Sequence, residues 1–136
     1  MADTFTKRER SAIMRRVRGS HTSPERILRH HLWTAGLVGY RTCRPDLPGK
    51  PDIVYSKKRV VVFVDGCFWH GCPSCYRRPA SNREYWDAKV KRNQTRDRAK
   101  RAELASLGWR IVSVWEHEAR KSPDACLDRV RAALAQ

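Results

Sequence analysis

The chain alternates between short apolar runs and longer stretches in which apolar residues return every three or four positions. Residues 59–65 contain the run VVVFV, which is apolar on both faces and predicts a central strand covered on both sides. The β-rich triplet 53–55 precedes it, and Lys57 and Lys58 mark a turn between the two, so a hairpin is predicted. Residues 39–42 form a weaker strand candidate, and residues 109–115 (WRIVSVW) predict a further strand.

Two helices are predicted before these strands. The first, residues 6–18, is rich in arginine, and the second begins near Ser23 with Pro24 in its first turn and ends at Gly36. The predicted core face of the second helix consists of Ile27, Leu28, Leu32 and Ala35. Three tryptophans are also expected in the core: Trp33, Trp109 and Trp115.

A long helix is predicted over residues 83–107 and a last one over residues 122–135. Ser81 and Glu84 have the spacing of a capping box for the long helix, and Gly108 ends it. The predicted order is therefore α-α-β-β-β-α-β-α. That order is typical of an α/β fold with a mixed central sheet flanked by helices, and the length of 136 residues fits one domain over residues 1–136.

The net charge of the chain indicates which class of partner it binds. Twenty-nine lysines and arginines stand against 14 acidic residues, a net charge of +15, which favours a nucleic acid over a solubilising surface or a ribosomal or membrane-surface role. The basic residues 1–20 are expected to form an arm that contacts DNA, and the long helix is expected to grip phosphates with residues such as Lys89 and Arg96. With no signal peptide and no apolar stretch of transmembrane length, a cytoplasmic, nucleoid-associated protein is expected.

The segment 67–75 (CFWHGCPSC) carries the most specific chemistry. Its three cysteines, Cys67, Cys72 and Cys75, have a spacing that favours one zinc ion over disulfides, with three unligated thiols as the alternative. A structural zinc takes four ligands, and we assign His117, which directly follows the last strand, as the fourth. His70 inside the loop is the rival ligand. The remaining cysteines, Cys43 and Cys126, are expected to be ordinary reduced thiols.

Three further features suggest hydrolysis of a phosphodiester. Asp52 starts the first strand of the hairpin, where it could share a Mg²⁺ ion with oxygens at the end of the partner strand, or could be a turn residue. Asp97 shares a helix face with Asn93 and could orient His70 as a base, or could pair with an arginine. The aromatic residues near these positions could wedge between base steps: Phe68, Trp69 and Trp86.

With these residues assembled, the chain closely resembles the very-short-patch repair (Vsr) DNA mismatch endonucleases from Thr6 to about Arg120. The resemblance rests on several motifs in order: Met14-Arg15, Glu25, the run 47–52 (LPGKPD), the run 66–70 (GCFWH), the run 83–86 (REYW), Asn93 with 96–98 (RDR), 107–110 (LGWR) and 114–116 (VWE).

The resemblance implies a restriction-endonuclease-like core with a structural zinc. It implies Mg²⁺-dependent nicking of one strand 5′ to the thymine of a T:G mismatch, which arises when 5-methylcytosine deaminates. Among the acidic residues, Asp52 resembles the metal-binding carboxylate, with Glu25 and Asp97 in support. The resemblance further implies His70 as general base, the intercalating residues Phe68, Trp69 and Trp86, the DNA-contacting residues Met14, Arg15 and Asn93, and the zinc set Cys67, Cys72, Cys75 and His117.

Val64 and Asp65 stand where some family members carry Thr-His. A metal contact through the main-chain carbonyl survives Val64, and Asp65 could add a carboxylate to the Mg²⁺ site. The alternatives are a related nuclease with another mismatch or a modified base as trigger, and a zinc-stabilised DNA-binding module without catalysis. The expected partners are duplex DNA and a MutL-type mismatch repair protein, and the expected state is a monomer without a membrane contact.

Overall fold

A four-stranded mixed sheet forms the centre of the computed structural model, which describes residues 23–42, 44–67, 70–75 and 79–136. In chain order the strands are β1 (Arg41–Thr42), β2 (Ile53–Tyr55), β3 (Val60–Asp65) and β4 (Arg110–Trp115). They lie side by side in this order. Strand β2 pairs antiparallel with β1 and with β3, and β3 pairs parallel with β4. The predicted hairpin of β2 and β3 is confirmed, with residues 56–59 as its turn.

Helices cover both faces of this sheet. They are α1 (Ser23–Thr34), α2 (Arg83–Ser106), α3 (Glu116–Lys121) and α4 (Pro123–Leu134). The 24-residue α2 connects the parallel strands β3 and β4, as a crossover between parallel strands requires. The predicted fold class, a mixed central sheet flanked by helices, is confirmed.

Strand β3 is apolar on both faces because each face carries its own core. Val60 and Val62 are fully buried in a cluster with residues of α1, α3 and α4, such as Leu28 and Val130. On the opposite face, the cluster of Val61 includes Val54, Phe63 and Leu104 of α2. This two-sided burial holds the carboxyl end of β3 rigidly between the two helical layers.

The register of β3 and β4 determines which residues meet beyond the sheet. Asp65 and Trp115, the last residues of the two strands, are partners in the parallel ladder. Cys67 and His117 each follow two residues later, so the chain brings them to the same edge of the sheet. The assignment of His117 to the cysteines depends on this relation between the two strand ends.

Two local predictions are wrong, and one helix was not predicted. Trp33 is 67% exposed, because the core stripe of α1 runs through Leu28 and Leu32, and the next residue is turned about 100° away from it. Ser81 does not start α2: Asn82 occupies the cap position and makes no capping hydrogen bond with its side chain. The short helix α3 was not predicted at all, because its sequence EHEARK carries no apolar stripe.

Several predictions lie outside the described residues. These are the arm and first helix within residues 1–22, and the positions Cys43, Phe68 and Trp69. Among the helices that the structure describes, none is long and apolar enough to cross a membrane.

Candidate active site and metal centre

Four side chains converge at the edge of the sheet where β3 and β4 end. The Sγ atoms of Cys67, Cys72 and Cys75 lie 3.4, 3.6 and 3.3 Å from Nδ1 of His117. Ligand atoms this close, three sulfurs and one imidazole nitrogen, form a group that could hold a metal ion. His70, the rival fourth ligand, does not belong to this group.

Burial makes this cluster dependent on a positive charge. Cys67 and Cys72 are buried, and burial raises the pKa of the Cys67 thiol to about 11, with the neighbouring thiols adding to the effect. Near neutral pH the Cys67 thiol therefore keeps its proton unless a positive charge lies beside it. A bound cation would supply that charge.

Helix α3 places His117 at the cluster. Its first turn is closed by Glu118, whose Oε1 accepts a hydrogen bond from the backbone N–H of Trp115 at 2.9 Å. The other oxygen of Glu118 accepts from Arg129 of α4 at 2.7 Å. Ala119 beside it is fully buried, so the helix is held from two sides although it has only six residues.

Asp52 lies beside the end of β3, as the hairpin predicts. The turn at residues 47–50 leads into buried Pro51, and the backbone N–H of Asp52 then donates to the carbonyl of Val62 at 3.1 Å. Oδ2 of Asp52 accepts a hydrogen bond from the N–H of Val64 at 2.6 Å. The Asp52 carboxylate thus accepts a hydrogen bond from β3 that a backbone carbonyl of β2 would otherwise accept. It does so one residue before β2 begins.

The environment of Asp52 disfavours its charge. Burial raises the pKa of Asp52 to about 8, although the bond from Val64 acts in the opposite direction. The nearby carboxylates of Glu25 and Asp65 raise the pKa of Asp52 further. Glu25 lies in the first turn of α1 and is only 3% exposed, so two carboxylates share a nearly dry site. A divalent cation would relieve this repulsion, which is typical of a metal-binding carboxylate pair.

His70 and Asp97 form an ion pair or hydrogen bond between the loop and α2. The contact joins Nδ1 of His70 to Oδ2 of Asp97, and both side chains are about one quarter exposed. Because a carboxylate only accepts, Nδ1 is the donor in this contact, and in the neutral imidazole Nε2 is then the nitrogen with the lone pair. Of the two partners considered for Asp97, the histidine is thus confirmed. This is the arrangement in which a histidine is oriented as a general base.

Asp65 has a partner that the sequence analysis did not anticipate. Both of its oxygens accept from Nη2 of Arg101, at 2.7 and 2.8 Å. The guanidinium of Arg101 also donates to Ser113 at 3.0 Å and lies over the ring of Phe63, 4.4 Å from its centre. The Asp65 carboxylate lies close to His70 and Asp97, but it is held by a cation of the protein itself.

An open cavity of about 290 Å³ adjoins these groups on the α2 side of the sheet. Its lining combines the acidic pair Asp65 and Asp97 with His70 and the two arginines Arg98 and Arg101. A site with an oriented base, buried carboxylates and nearby guanidinium groups can bind a phosphodiester and withdraw a proton from an attacking water.

The outer surface of α2 extends this site with positive charge. Asn93 is buried, and its Oδ1 accepts a hydrogen bond from Nη2 of Arg96 at 2.8 Å, so Asn93 orients that arginine. Lys89 is half-buried on the same helix, and Trp86 is half-buried with its ring edge-to-face against Tyr85, 5.0 Å between centres. The other predicted DNA-contacting residues lie outside the described part of the chain: Met14, Arg15, Phe68 and Trp69.

Three residues of the site were missed from the sequence. Gln94 and Arg101 lie three positions before and four positions after Asp97, so they share its helix face, and this spacing was the available signal. Glu118 is the third residue of α3, the position of the acidic partner in a capping box. Without a predicted helix at residues 116–121, that signal could not be read.

Comparison with known proteins agrees with this geometry. A family model described as DNA mismatch endonuclease Vsr matches residues 2–77. The chain is 42% identical over 120 residues to a type II nicking enzyme of Xanthomonas oryzae pv. oryzae, with 87% of each chain covered. It is 39% identical over 138 residues to a type II nicking enzyme of Neisseria meningitidis, with 100% of this chain and 96% of the relative covered.

A third relative carries the family's own name. The DNA mismatch endonuclease Vsr of Escherichia coli K12 is 41% identical over 118 residues, with 85% of this chain and 74% of that protein covered. The residues that the family model matches include Asp52 at the hairpin and the whole cysteine loop, residues 67–75. The chain therefore belongs to the Vsr family of DNA mismatch endonucleases, whose fold is restriction-endonuclease-like, and it is an endonuclease.

Proposed function

We propose that this protein nicks one strand of duplex DNA immediately 5′ to the thymine of a T:G mismatch, in a reaction that requires Mg²⁺. The observation that carries the proposal is the contact of His70 with Asp97 beside the buried carboxylates at the end of β3. An oriented imidazole and a carboxylate pair are the two groups that metal-assisted hydrolysis of a phosphodiester needs. The T:G trigger and the repair of deaminated 5-methylcytosine rest on the family.

The Mg²⁺ ligands proposed are the carboxylate of Asp52 and the main-chain carbonyl of Val64. The N–H of Val64 points to Asp52, and in an antiparallel ladder the carbonyl of the same residue points to the same side. Glu25 would act on the ion through a bound water. The cation would lower the pKa of water and stabilise charge on the phosphate. A contribution from Asp65 stays a prediction, because the carboxylate would first have to leave Arg101.

His70 acts in this proposal through Nε2. With Nδ1–H donated to Asp97, Nε2 accepts a proton from the water that attacks the phosphorus. Asp97 keeps the ring in one orientation and stabilises the imidazolium that forms. The positive surface of α2 holds the strand by its phosphates, with Lys89 and Arg96 as contacts and Asn93 as support for Arg96.

Recognition of the mismatch is assigned to the aromatic residues. We propose that Phe68, Trp69 and Trp86 insert beside the mismatched pair, at a cost of roughly a few kcal/mol per opened step. A mismatched step costs less to open, so insertion favours mismatches. Met14 and Arg15 of the N-terminal arm would complete the contact with DNA.

The cluster of Cys67, Cys72, Cys75 and His117 is proposed as a structural zinc site. A tetrahedral zinc with ordinary bond lengths places sulfur and nitrogen ligands about 3.6 Å apart. The three observed distances, 3.4, 3.6 and 3.3 Å, agree with that expectation. With all four positions taken by protein, the ion would stabilise the loop and would not contact the substrate.

The cellular setting is proposed from the same family. We propose that the protein works as a monomer on chromosomal DNA in the cytoplasm, with a MutL-type repair protein as its partner. The net charge of +15 supports binding to the nucleoid.

The test uses purified protein, Mg²⁺ and short duplexes that differ at one base pair. A T:G duplex, its T:A and C:G parents and each other mismatch are placed in several flanking sequences, and the products are mapped on a sequencing gel. We expect one nick 5′ to the thymine in the T:G duplex only, and none in EDTA. Cutting of another mismatch instead would show that this other mismatch is the substrate. Binding without any cut would favour a non-catalytic DNA-binding module.

A further inference from the structure

The main chain of His70 has its own partner on α2. Nε2 of Gln94 donates a hydrogen bond to the carbonyl oxygen of His70 at 3.1 Å, in a partly buried position. Gln94 lies three residues before Asp97, so both side chains project from one face of α2. Helix α2 thus holds His70 twice: Gln94 bonds its backbone carbonyl, and Asp97 bonds its ring.

The residue after His70 is packed directly onto α2. A Cβ atom at Gly71 would lie 2.6 Å from Nε2 of Gln94 and 2.7 Å from a methyl carbon of Val90, closer than real side chains approach. Gly71 also has a φ of +65°, which other residues rarely adopt. The loop therefore contacts the helix at this point without any intervening side chain.

The backbone hydrogen bonds within the loop do not determine the position of the His70 backbone relative to α2. On one side the N–H of His70 donates to the carbonyl of Gly66 at 3.2 Å, within the loop itself. On the other side the N–H of Cys72 donates to the carbonyl of Cys67 at 2.9 Å, also within the loop. In the described part of the loop, Gln94 supplies the side-chain bond that ties this backbone to the helix carrying Asp97.

We propose that Gln94, which lines the same cavity as His70, is a positioning residue that sets the distance of the His70 imidazole from the reacting water. The inference rests on the proposed role of His70 as general base. A displacement of a catalytic group by about 1 Å can cost about 100-fold in rate. Release of the His70 carbonyl is expected to lower the rate constant of the chemical step and leave DNA affinity unchanged.

The test compares Gln94→Met, which keeps the length of the side chain and loses the donor, with Gln94→Glu, which sets a carboxylate against the carbonyl. Thr95→Ala, at the exposed neighbouring position, is the matched control. Single-turnover nicking at saturating DNA is measured with DNA affinity, bound zinc and melting temperature. The NMR signal of the His70 Nδ1 proton is measured in the full-length protein without DNA, and Asp97→Asn identifies it.

The proposal predicts that Gln94→Met lowers the nicking rate constant between about 10- and 100-fold and weakens the Nδ1 proton signal. The nicking rate constant of Gln94→Glu is lower still, and that of Thr95→Ala matches the wild type. DNA affinity and bound zinc stay at wild-type levels in all three variants. A wild-type rate and signal in Gln94→Met would overturn the proposal, and so would loss of zinc together with the rate, which indicates a structural role. If the wild-type protein nicks no T:G duplex, the proposed function fails, while the proton signal still tests Gln94.

Discussion

Asp52 is the residue at which burial and function conflict most clearly. Its carboxylate accepts only one described backbone bond, from Val64, and shares its site with Glu25. A raised pKa of about 8 means that the metal-free protein keeps a proton on this site at neutral pH. Such a residue weakens the fold without its cation, and this is the usual cost of a pre-formed metal site.

This conflict predicts how stability depends on pH. An unfolded aspartate loses its proton near pH 4 and native Asp52 near pH 8, so the native state holds more protons between these values. Without divalent cations, the free energy of unfolding should therefore fall as pH rises from about 4 to 8. Asp52→Asn should remove roughly 1 to 3 kcal/mol of that fall, as measured by urea denaturation at pH 5 and pH 8. An equal fall in both proteins would show that Asp52 titrates normally.

Substitution of Asp65 should lower the nicking rate much less than substitution of Asp52. Because Arg101 holds both oxygens of Asp65, we expect Asp65→Asn to lower nicking by less than about 10-fold, against about 100-fold or more for Asp52→Asn. Both variants are compared in single-turnover assays over a range of Mg²⁺ concentrations. Equal losses, with the same rise in the Mg²⁺ requirement, would instead make Asp65 a ligand of the ion.

At the scale of elements, the sequence predicted the parts with a strong period and missed those held by polar contacts. The run VVVFV predicted β3 because two cores bury its two faces. Helix α3 and the start of α2 depend on single contacts such as that of Glu118 with Trp115, which no hydrophobic pattern reveals. Trp33 was misplaced because its size suggested burial while its position in α1 faces away from Leu32.

The candidate site shows the same difference between residues that a sequence pattern brings together and residues that single polar contacts bring together. The parallel pairing of β3 with β4 was enough to bring His117 to the cysteines, and helical spacing was enough to bring Asp97 to the loop. The pair of Asp65 with Arg101 and the bond of Gln94 to His70 depend on how the side chains of α2 are directed toward β3 and the loop, and spacing alone does not determine this.

The proposed zinc site should hold the described part of the loop in place. Cys72 is only 1% exposed, and Cys72→Ser replaces a thiolate by a weak ligand. We expect this variant to lose its zinc and about 10 °C or more in melting temperature. Cys126→Ala, a buried cysteine outside the cluster, is the control and should keep the metal. A full equivalent of zinc in Cys72→Ser would contradict the assignment.

For the whole molecule, the positive charge should act as a polyanion-binding surface centred on α2. Arg96 is oriented by Asn93 on that helix, whereas Arg131 lies on α4, on the opposite face of the sheet. We expect Arg96→Ala to reduce the slope of log affinity against log salt by about 1, equally for T:G and T:A duplexes. Arg131→Ala, an exposed arginine of the same type, should leave the slope unchanged.

An unchanged slope in Arg96→Ala would place the DNA elsewhere on the molecule. A loss confined to T:G duplexes would show that Arg96 reads the mismatch and does more than hold phosphates. Titrations over roughly 50 to 200 mM salt are sufficient, because each phosphate contact adds about 0.9 to the slope.

The proposed function depends most on His70, paired with Asp97, as the general base for hydrolysis of one strand beside a T:G mismatch. The most direct measurement is the single-turnover rate constant on a T:G duplex for the wild type and for His70→Ala, with His30→Ala, an exposed histidine of α1, as control. We expect a single nick 5′ to the thymine, a fall of about 10²- to 10⁴-fold in the rate constant of His70→Ala, and unchanged DNA affinity in both variants. A near wild-type rate constant in His70→Ala would show that His70 is not the base.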